Sequence, residues 1–336
     1  MKRRLFLFIA GLLTVFLLVG CAEKKPEDVV RDLDEKVKSI KSYEAEAKLS
    51  IKTGNEPQEY DVEVWYKEPN YYRVNLKNAK KDQSQIILRN DEGVFVLTPA
   101  LNKSFRFQSD WPQNSSQAYL YQSLVKDILK DKSHVFKKTN KHYVFETKTN
   151  YHHQNMLPKQ KITLNKRDLT PVSVQLMDND QNVLVEVNFS KVKFDAKFDK
   201  GAFDTQKNMS RAQVDVQVAA KEEKPFAILY PQDTPQGMTL KDEQEFKIAN
   251  GKRAILTYEG DKKSFTLIQE KAKVTPATTA IGVSGEPVDL GFTIGALTED
   301  SLMWSHNGVD YMMVSKGLEA EELLMVARSV TEKQEK

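Results

Sequence analysis

The hydrophobic period of the chain changes along its length. Val29, Val30, Leu33, Val37 and Ile40 recur at helical spacing, with acids early and lysines late, as a helix dipole favours. The period then becomes two. Ala45, Ala47, Leu49 and Ile51 alternate with Glu46, Lys48, Ser50 and Lys52. Tyr60, Val62, Val64 and Tyr66 repeat the pattern, with Trp65 apolar on the other face, and Tyr72, Val74 and Leu76 follow. Further strands are predicted at Gln85–Arg89, Val94–Thr98 and Ser104–Gln108. The turn-rich pieces Thr53-Gly54-Asn55, Glu68-Pro69-Asn70 and Asn90-Asp91-Glu92-Gly93 separate the strands. This is an antiparallel meander with one apolar face. A helix is predicted over Ala118–Leu129, and strands resume at Tyr143–Thr149, Lys161–Leu164, Val172–Met177 and Val183–Phe189. The count fits one large, strongly curved antiparallel sheet with helices near one face.

The character changes after Asp204. Residues 205–225 are polar and end in Lys221-Glu222-Glu223-Lys224-Pro225, which reads as a linker. A smaller α+β domain is expected over 226–336. Ala254–Tyr258 and Ser264–Gln269 form a hairpin around Gly260-Asp261, and Lys273–Pro287 reads as a mobile loop rich in Thr, Ala, Gly and Pro. Met303–Tyr311 reads as a second hairpin, whose Asn307-Gly308 step suits a type I′ turn. A closing helix is predicted at Glu319–Val330, with Leu323, Leu324, Ala327 and Val330 inward.

The N-terminus changes the picture of where this fold works. Lys2, Arg3 and Arg4 precede an apolar run from Leu5 to Val19, the layout of a secretory signal over 1–20. Leu18-Val19-Gly20-Cys21 matches a bacterial lipobox, so Cys21 is the expected lipidation site. Diacylglycerol on its thiol, with palmitate-type chains, gives two-chain anchoring on the extracytoplasmic face of a cell membrane. Residues 21–27 form the tether and 28–204 the first domain. The formal net charge of +3 falls to zero when Lys2, Arg3 and Arg4 leave with the signal, so basicity argues for no nucleic-acid partner. Cys21 is the single cysteine, which excludes disulfide and thiolate chemistry from the rest of the chain.

Catalytic signals are weak. His134, His142, His152, His153 and His306 show no metal-ligand spacing; His152 and His153 as strand neighbours would point to opposite faces. Ser284 in Gly282-Val283-Ser284-Gly285 lacks the strand-turn-helix context of a nucleophile elbow. No enzyme activity, cofactor or metal is expected. The positive signal is an apolar concavity on the inner face of the sheet. Its candidate lining residues are Tyr60, Tyr66, Tyr72, Val74, Val96, Phe105, Phe107, Val174 and Val187. Such a surface binds acyl chains through burial alone, at about 0.8 kcal/mol per methylene.

Four stretches carry a family resemblance: the opening helix and strand over Val29–Ile51; Lys67-Glu68-Pro69-Asn70-Tyr71-Tyr72-Arg73-Val74; Gly93–Lys103; and Met177–Phe203 with its closing Asp199…Phe203. In this order they resemble the LolA-like superfamily of lipoprotein carriers, the LolB receptor, mycobacterial lipid-binding lipoproteins and the regulator RseB. The two-domain layout is most similar to the YdcC-type sporulation lipoproteins of Bacillus-like bacteria. The resemblance implies a half-barrel covered by helices that admits acyl chains. It also implies a membrane-tethered module in Gram-positive envelope assembly during sporulation, binding lipid, lipoprotein or protein. The alternative it implies is an RseB-like regulator or scaffold gripping the extracytoplasmic part of a membrane protein. Where the family turn has Gly this chain has Asn182, a residue that tolerates positive φ.

Overall fold

The structure, a computed structural model, describes residues 24–52, 57–78, 84–113, 117–150, 157–217, 226–248, 251–272, 280–290 and 292–332. The signal segment, Cys21, the Thr53–Asn55 turn, His152, His153 and Lys221–Pro225 lie outside the described residues. The chain divides into two compact units, Met1–Ser39 and Ile40–Lys336.

In the first unit, helix α1 spans Pro26–Ser39, with Glu27 and Asp28 in its first turn and Lys36 and Lys38 in its last. Those charges oppose the helix dipole at both ends. Lys38 meets Asp34 one turn back at 2.6 Å, a surface pair worth a few tenths of a kcal/mol (about 0.3–0.5).

The second unit opens with the meander. β1 (Ser42–Ile51), β2 (Gln58–Lys67), β3 (Tyr71–Asn78), β4 (Ser84–Asn90), β5 (Gly93–Thr98) and β6 (Lys103–Phe107) pair each with the next. After helix α2 (Tyr121–Lys130) come β7 (Val135–Lys138), β8 (His142–Lys148), β9 (Lys159–Asn165), β10 (Pro171–Met177) and β11 (Val183–Phe194). β11 returns to pair antiparallel with β1, which joins the two meanders into one sheet. The sheet does not close, so it is an open half-barrel. Among the described residues its order is β16-β6-β5-β4-β3-β2-β1-β11-β10-β9-β8-β7, β16 (Ile281–Val283) arriving from far along the chain.

The inner face carries Tyr43, Val64, Tyr66, Tyr72 and Val74, all buried. α2 lies against it. Its backbone N–H at Tyr121 donates to the Tyr43 hydroxyl at 3.3 Å, and that hydroxyl donates to Gln122 Oε1 at 3.0 Å. At the other end of the helix, Asp127 accepts from Gln160 Nε2 at 2.6 Å in a buried contact.

The polar stretch expected as a linker is in part a helix, α3 (Thr205–Gln217). Met209 and Ala212 pack with Ile86, Leu88, Phe95 and Leu97, the outward-facing residues of β4 and β5. These two strands are therefore buried on both faces, which explains their unbroken apolar runs. Polarity did not exclude packing, because the buried Asn208 is fully bonded: it accepts from Arg73 Nε at 2.6 Å and donates to the Ala202 and Asp204 carbonyls at 2.8 Å.

The second sheet has the order β13-β14-β15-β20-β19-β18-β17. Its strands are β13 (Thr239–Ile248), β14 (Gly251–Glu259), β15 (Ser264–Lys271), β17 (Glu286–Asp289), β18 (Ile294–Leu297), β19 (Ser301–His306) and β20 (Val309–Lys316). Helix α4 (Ala320–Arg328) opens on a capping box between Glu319 and Glu322. Its Leu323, Leu324, Val326 and Ala327 bury one face of this sheet against Leu256, Phe265, Leu267 and Met313. Val330, expected on that helix, instead begins β21 (Val330–Glu332), paired with β12 (Leu229–Pro231). Asn307 and Gly308 have φ of 51° and 77°, as the type I′ hairpin requires. In the Met177–Val183 turn, however, Gln181 takes the positive φ of 67°, while Asn182 is held by the Asp178 carboxylate.

The expected mobile loop at Lys273–Pro287 is ordered in its second half. Ile281–Val283 forms β16, parallel to β6, and Glu286–Asp289 forms β17. Gly285 between them has φ of 110°, so its turn suits glycine and not disorder. Residues 273–279 lie outside the described residues.

Candidate functional site

The large sheet offers its inner face in two parts. Around β1–β3 that face is filled. Tyr43, Tyr66, Tyr72 and Trp111 form a chain of ring contacts at 5.4, 4.9 and 5.8 Å between successive centroids. Tyr121 meets Tyr43 edge-on at 6.5 Å. Burial raises the phenols of Tyr43, Tyr66, Tyr72 and Tyr121 above the ordinary tyrosine range, so they remain neutral. Val74, Val174 and Val187 are fully buried in the same layer.

Around β5 and β6 the inner face meets the second sheet across a cleft of about 820 Å³. This lies within the roughly 300–1,000 Å³ range of small-molecule sites. Val96, Phe105 and Phe107 form the large-sheet wall. Opposite stand Ile268, Ala296, Met303 and Met312, on the face of the second sheet that α4 leaves uncovered. The strand β16 closes one side with Ile281 and Val283, and Ser284 lies beside them with a strand, not a helix, after it. Two methionines make that wall adaptable, since their unbranched side chains repack at low cost.

Four charged groups line the same cleft: Lys103, Arg253, Glu270 and Asp310. Lys103, only 8% exposed, pairs with Asp310. Arg253 holds Glu270 by two bonds, from Nε at 2.9 Å and Nη2 at 2.7 Å. Ser305 Oγ donates to Asp310 at 2.5 Å.

Of the predicted lining residues, Val96, Phe105 and Phe107 border this cleft. Tyr60 borders a smaller pocket of about 50 Å³ with Leu49, Leu76, Asn78 and Phe292, which shares Gln85, Thr98 and Ser305 with the cleft and has room for a few waters only. Tyr66, Tyr72, Val74, Val174 and Val187 border neither. The second-sheet wall was not anticipated. Its signal lay in Ile255, Ile268, Met303 and Met312, apolar residues on the outward side of strands whose other side was already apolar.

Among the described residues, no three His, Cys, Asp or Glu side chains group as metal ligands. Among them, too, no helix is long and apolar enough to cross a membrane.

A family described as sporulation protein YdcC-like matches residues 1–203. The sporulation protein YdcC of Bacillus subtilis (strain 168) is 53% identical over 329 residues, covering 98% of this chain and 97% of that one. Among solved structures, the Pseudomonas aeruginosa MucA/MucB complex aligns at 11% identity, covering 90% of this chain and 100% of the matched one, with a TM-score of 0.31. A putative outer membrane lipoprotein-sorting protein domain from Vibrio parahaemolyticus aligns at 15% identity over 53% of this chain and 97% of that one, with a TM-score of 0.33.

Proposed function

Because this chain belongs to the YdcC-like sporulation protein family, we propose that it is a membrane-tethered binding module of the sporulating cell envelope, one whose cleft takes an acyl chain of a lipid or lipoprotein. The observation that carries this reading is the 820 Å³ cleft between β5–β6 and the second sheet. Val96, Phe105, Phe107, Ile268, Met303 and Met312 give it a continuous apolar stretch, and an aliphatic chain there gains about 0.8 kcal/mol per buried methylene. Phe105, half-buried, and Met312, exposed, lose water contact when the cleft fills.

The tether supports the same reading. Leu18-Val19-Gly20-Cys21 supplies a lipidation site, and the short polar stretch from Ala22 to Lys25 joins it to α1. A protein held this way works within reach of a bilayer, where acyl chains are abundant. Localisation on the extracytoplasmic face is part of the proposal.

Native mass spectrometry of the full chain, extracted from its own membrane in mild detergent, tests it. A one-to-one lipid adduct is expected, and it should disappear in Ala296→Phe, which puts a ring into the cleft. A wild-type protein without adduct, and without saturable uptake of a lysolipid, overturns the reading. Loss of acylation in Cys21→Ser tests the anchor separately, and acylation that persists overturns that part.

A further inference from the structure

The polar wall of the cleft is a row of four charges. Arg253, Glu270 and Asp310 stand on β14, β15 and β20 in direct register, Arg253 opposite Glu270 and Glu270 opposite Asp310. Lys103 reaches Asp310 from β6 of the large sheet. The row therefore reads positive, negative, negative, positive. Two carboxylates directly opposite on antiparallel strands repel each other. Here each has its own cation, one from the neighbouring strand and one from across the cleft.

The row sums to zero, and that restricts what can join it. A purely anionic head group meets two carboxylates and two cations already engaged, and leaves one uncompensated charge in a partly desolvated site. A purely cationic head group leaves the opposite excess. A head group bearing both an ammonium and a phosphate keeps the sum at zero. Its ammonium fits between Glu270 and Asp310, and its phosphate takes up Lys103 or Arg253 by charge-assisted hydrogen bonds.

Resting on the acyl-binding reading above, we infer that the ligand is a zwitterionic amphiphile of the ammonium-phosphate class. Its head sits on this row and its tail lies along Val96, Phe105, Phe107, Ile268, Met303 and Met312. The Lys103–Asp310 bridge, which spans the two sheets, opens to admit the head group, and both partners exchange one ionic contact for another.

Calorimetric titration of the full chain with four ligands of one chain length tests this, each below its micelle concentration. The ligands are lysophosphatidylethanolamine, lysophosphatidylglycerol, palmitate and the uncharged monopalmitoylglycerol. The expected result is that lysophosphatidylethanolamine binds at least tenfold tighter than each of the other three. The double variant Arg253→Gln/Glu270→Gln, on the more exposed pair, should reduce that preference to threefold or less with an unchanged circular dichroism spectrum. Equal affinities, or a preference for either anion or for the uncharged ligand, overturn the head-group assignment while the acyl reading stands. No binding by any of the four overturns both.

Discussion

Gln85 on β4 accepts the backbone N–H of Ile294 on β18 at 2.7 Å. The same oxygen accepts from Thr293 Oγ at 3.0 Å, and the Gln85 amide donates to Thr98 Oγ at 3.3 Å. One inward side chain of the large sheet thus joins the second sheet through its backbone. Gln85→Leu keeps the approximate volume and removes the acceptor from the part-buried Ile294 N–H and Thr293 hydroxyl, which costs about 1–3 kcal/mol. Urea unfolding should show that loss, and Gln85→Glu, which retains an acceptor, should recover part of it. A Gln85→Leu protein as stable as wild type would show that water replaces the amide.

The Gln160–Asp127 contact anchors α2 to β9, with both residues almost wholly buried. Breaking one side removes a buried hydrogen bond from the other, although Gln160 Nε2 also donates to the Lys148 carbonyl at 3.3 Å. Gln160→Leu alone should destabilise by about 2–3 kcal/mol, whereas Gln160→Leu with Asp127→Leu should cost clearly less than the sum of the two single changes. A double-mutant cycle by denaturant titration measures the difference, and strict additivity would mean the contact carries no coupling.

Asp131 ends α2, and its carboxylate accepts the Lys148 backbone N–H at 2.9 Å and the Ser133 hydroxyl at 2.7 Å. Burial opposes its charged form, but these hydrogen bonds outweigh burial and hold its pKa below the ordinary aspartate value. A folded-state pKa lower than the unfolded one contributes stability above the unfolded value, about 3.9, and loses it as pH falls through the folded value. The stability gap between wild type and Asp131→Asn should therefore be constant near neutrality and shrink below about pH 4. A gap independent of pH down to acid unfolding would remove Asp131 from the acid response.

Arg73 lies over the Trp65 ring, its guanidinium carbon 4.2 Å from the centroid. It pairs with Glu63 and bonds Asn208 of α3 through Nε. Lysine has no Nε donor and no planar face to stack, so Arg73→Lys should cost about 1–2 kcal/mol. The loss should be local. Hydrogen exchange in α3 should accelerate while β9 and β10 stay protected; uniform acceleration would mean that Arg73 supports the whole sheet instead.

That helix also shows where sequence reasoning runs out. Strict alternation in β1–β3 and β11 assigned the inner face correctly, because one side of those strands meets solvent. In Ile86-Ile87-Leu88 and Val94–Leu97 the apolar run is continuous, a sign of burial on both faces that the expectation of a single apolar face passed over. The cover, α3, meets these strands through Met209 and Ala212, and its buried Asn208 is invisible as core until Arg73 is seen beside it. β13 escaped for the opposite reason: its residues are exposed on both faces apart from part-buried Ile248, so no period forms. β16 pairs with a strand far away in sequence, and local pattern holds no trace of such a partner. For the cleft, alternation told which face Val96, Phe105 and Phe107 share, but not that a second sheet stands opposite them.

Gly285 and Gly308 both have positive φ, 110° and 77°, but they occupy different surroundings. A Cβ on Gly308 would meet nothing within 4 Å. A Cβ on Gly285 would fall 2.1 Å from the Leu297 carbonyl oxygen, a backbone atom on the neighbouring strand that cannot step aside. Gly308→Ala should therefore cost only the left-handed backbone penalty, about 1–2 kcal/mol. Gly285→Ala adds a clash to that strain and should reach about 3 kcal/mol or more. It should also lift β16 from β6, because Gly285 sets the turn between that strand and β17. Thermal unfolding ranks the two costs, and hydrogen exchange at Ile281–Val283 reports the strand. If Gly285→Ala is no worse than Gly308→Ala, with β16 still protected, the chain has another way around Leu297 and the wall of the cleft is softer than its backbone suggests.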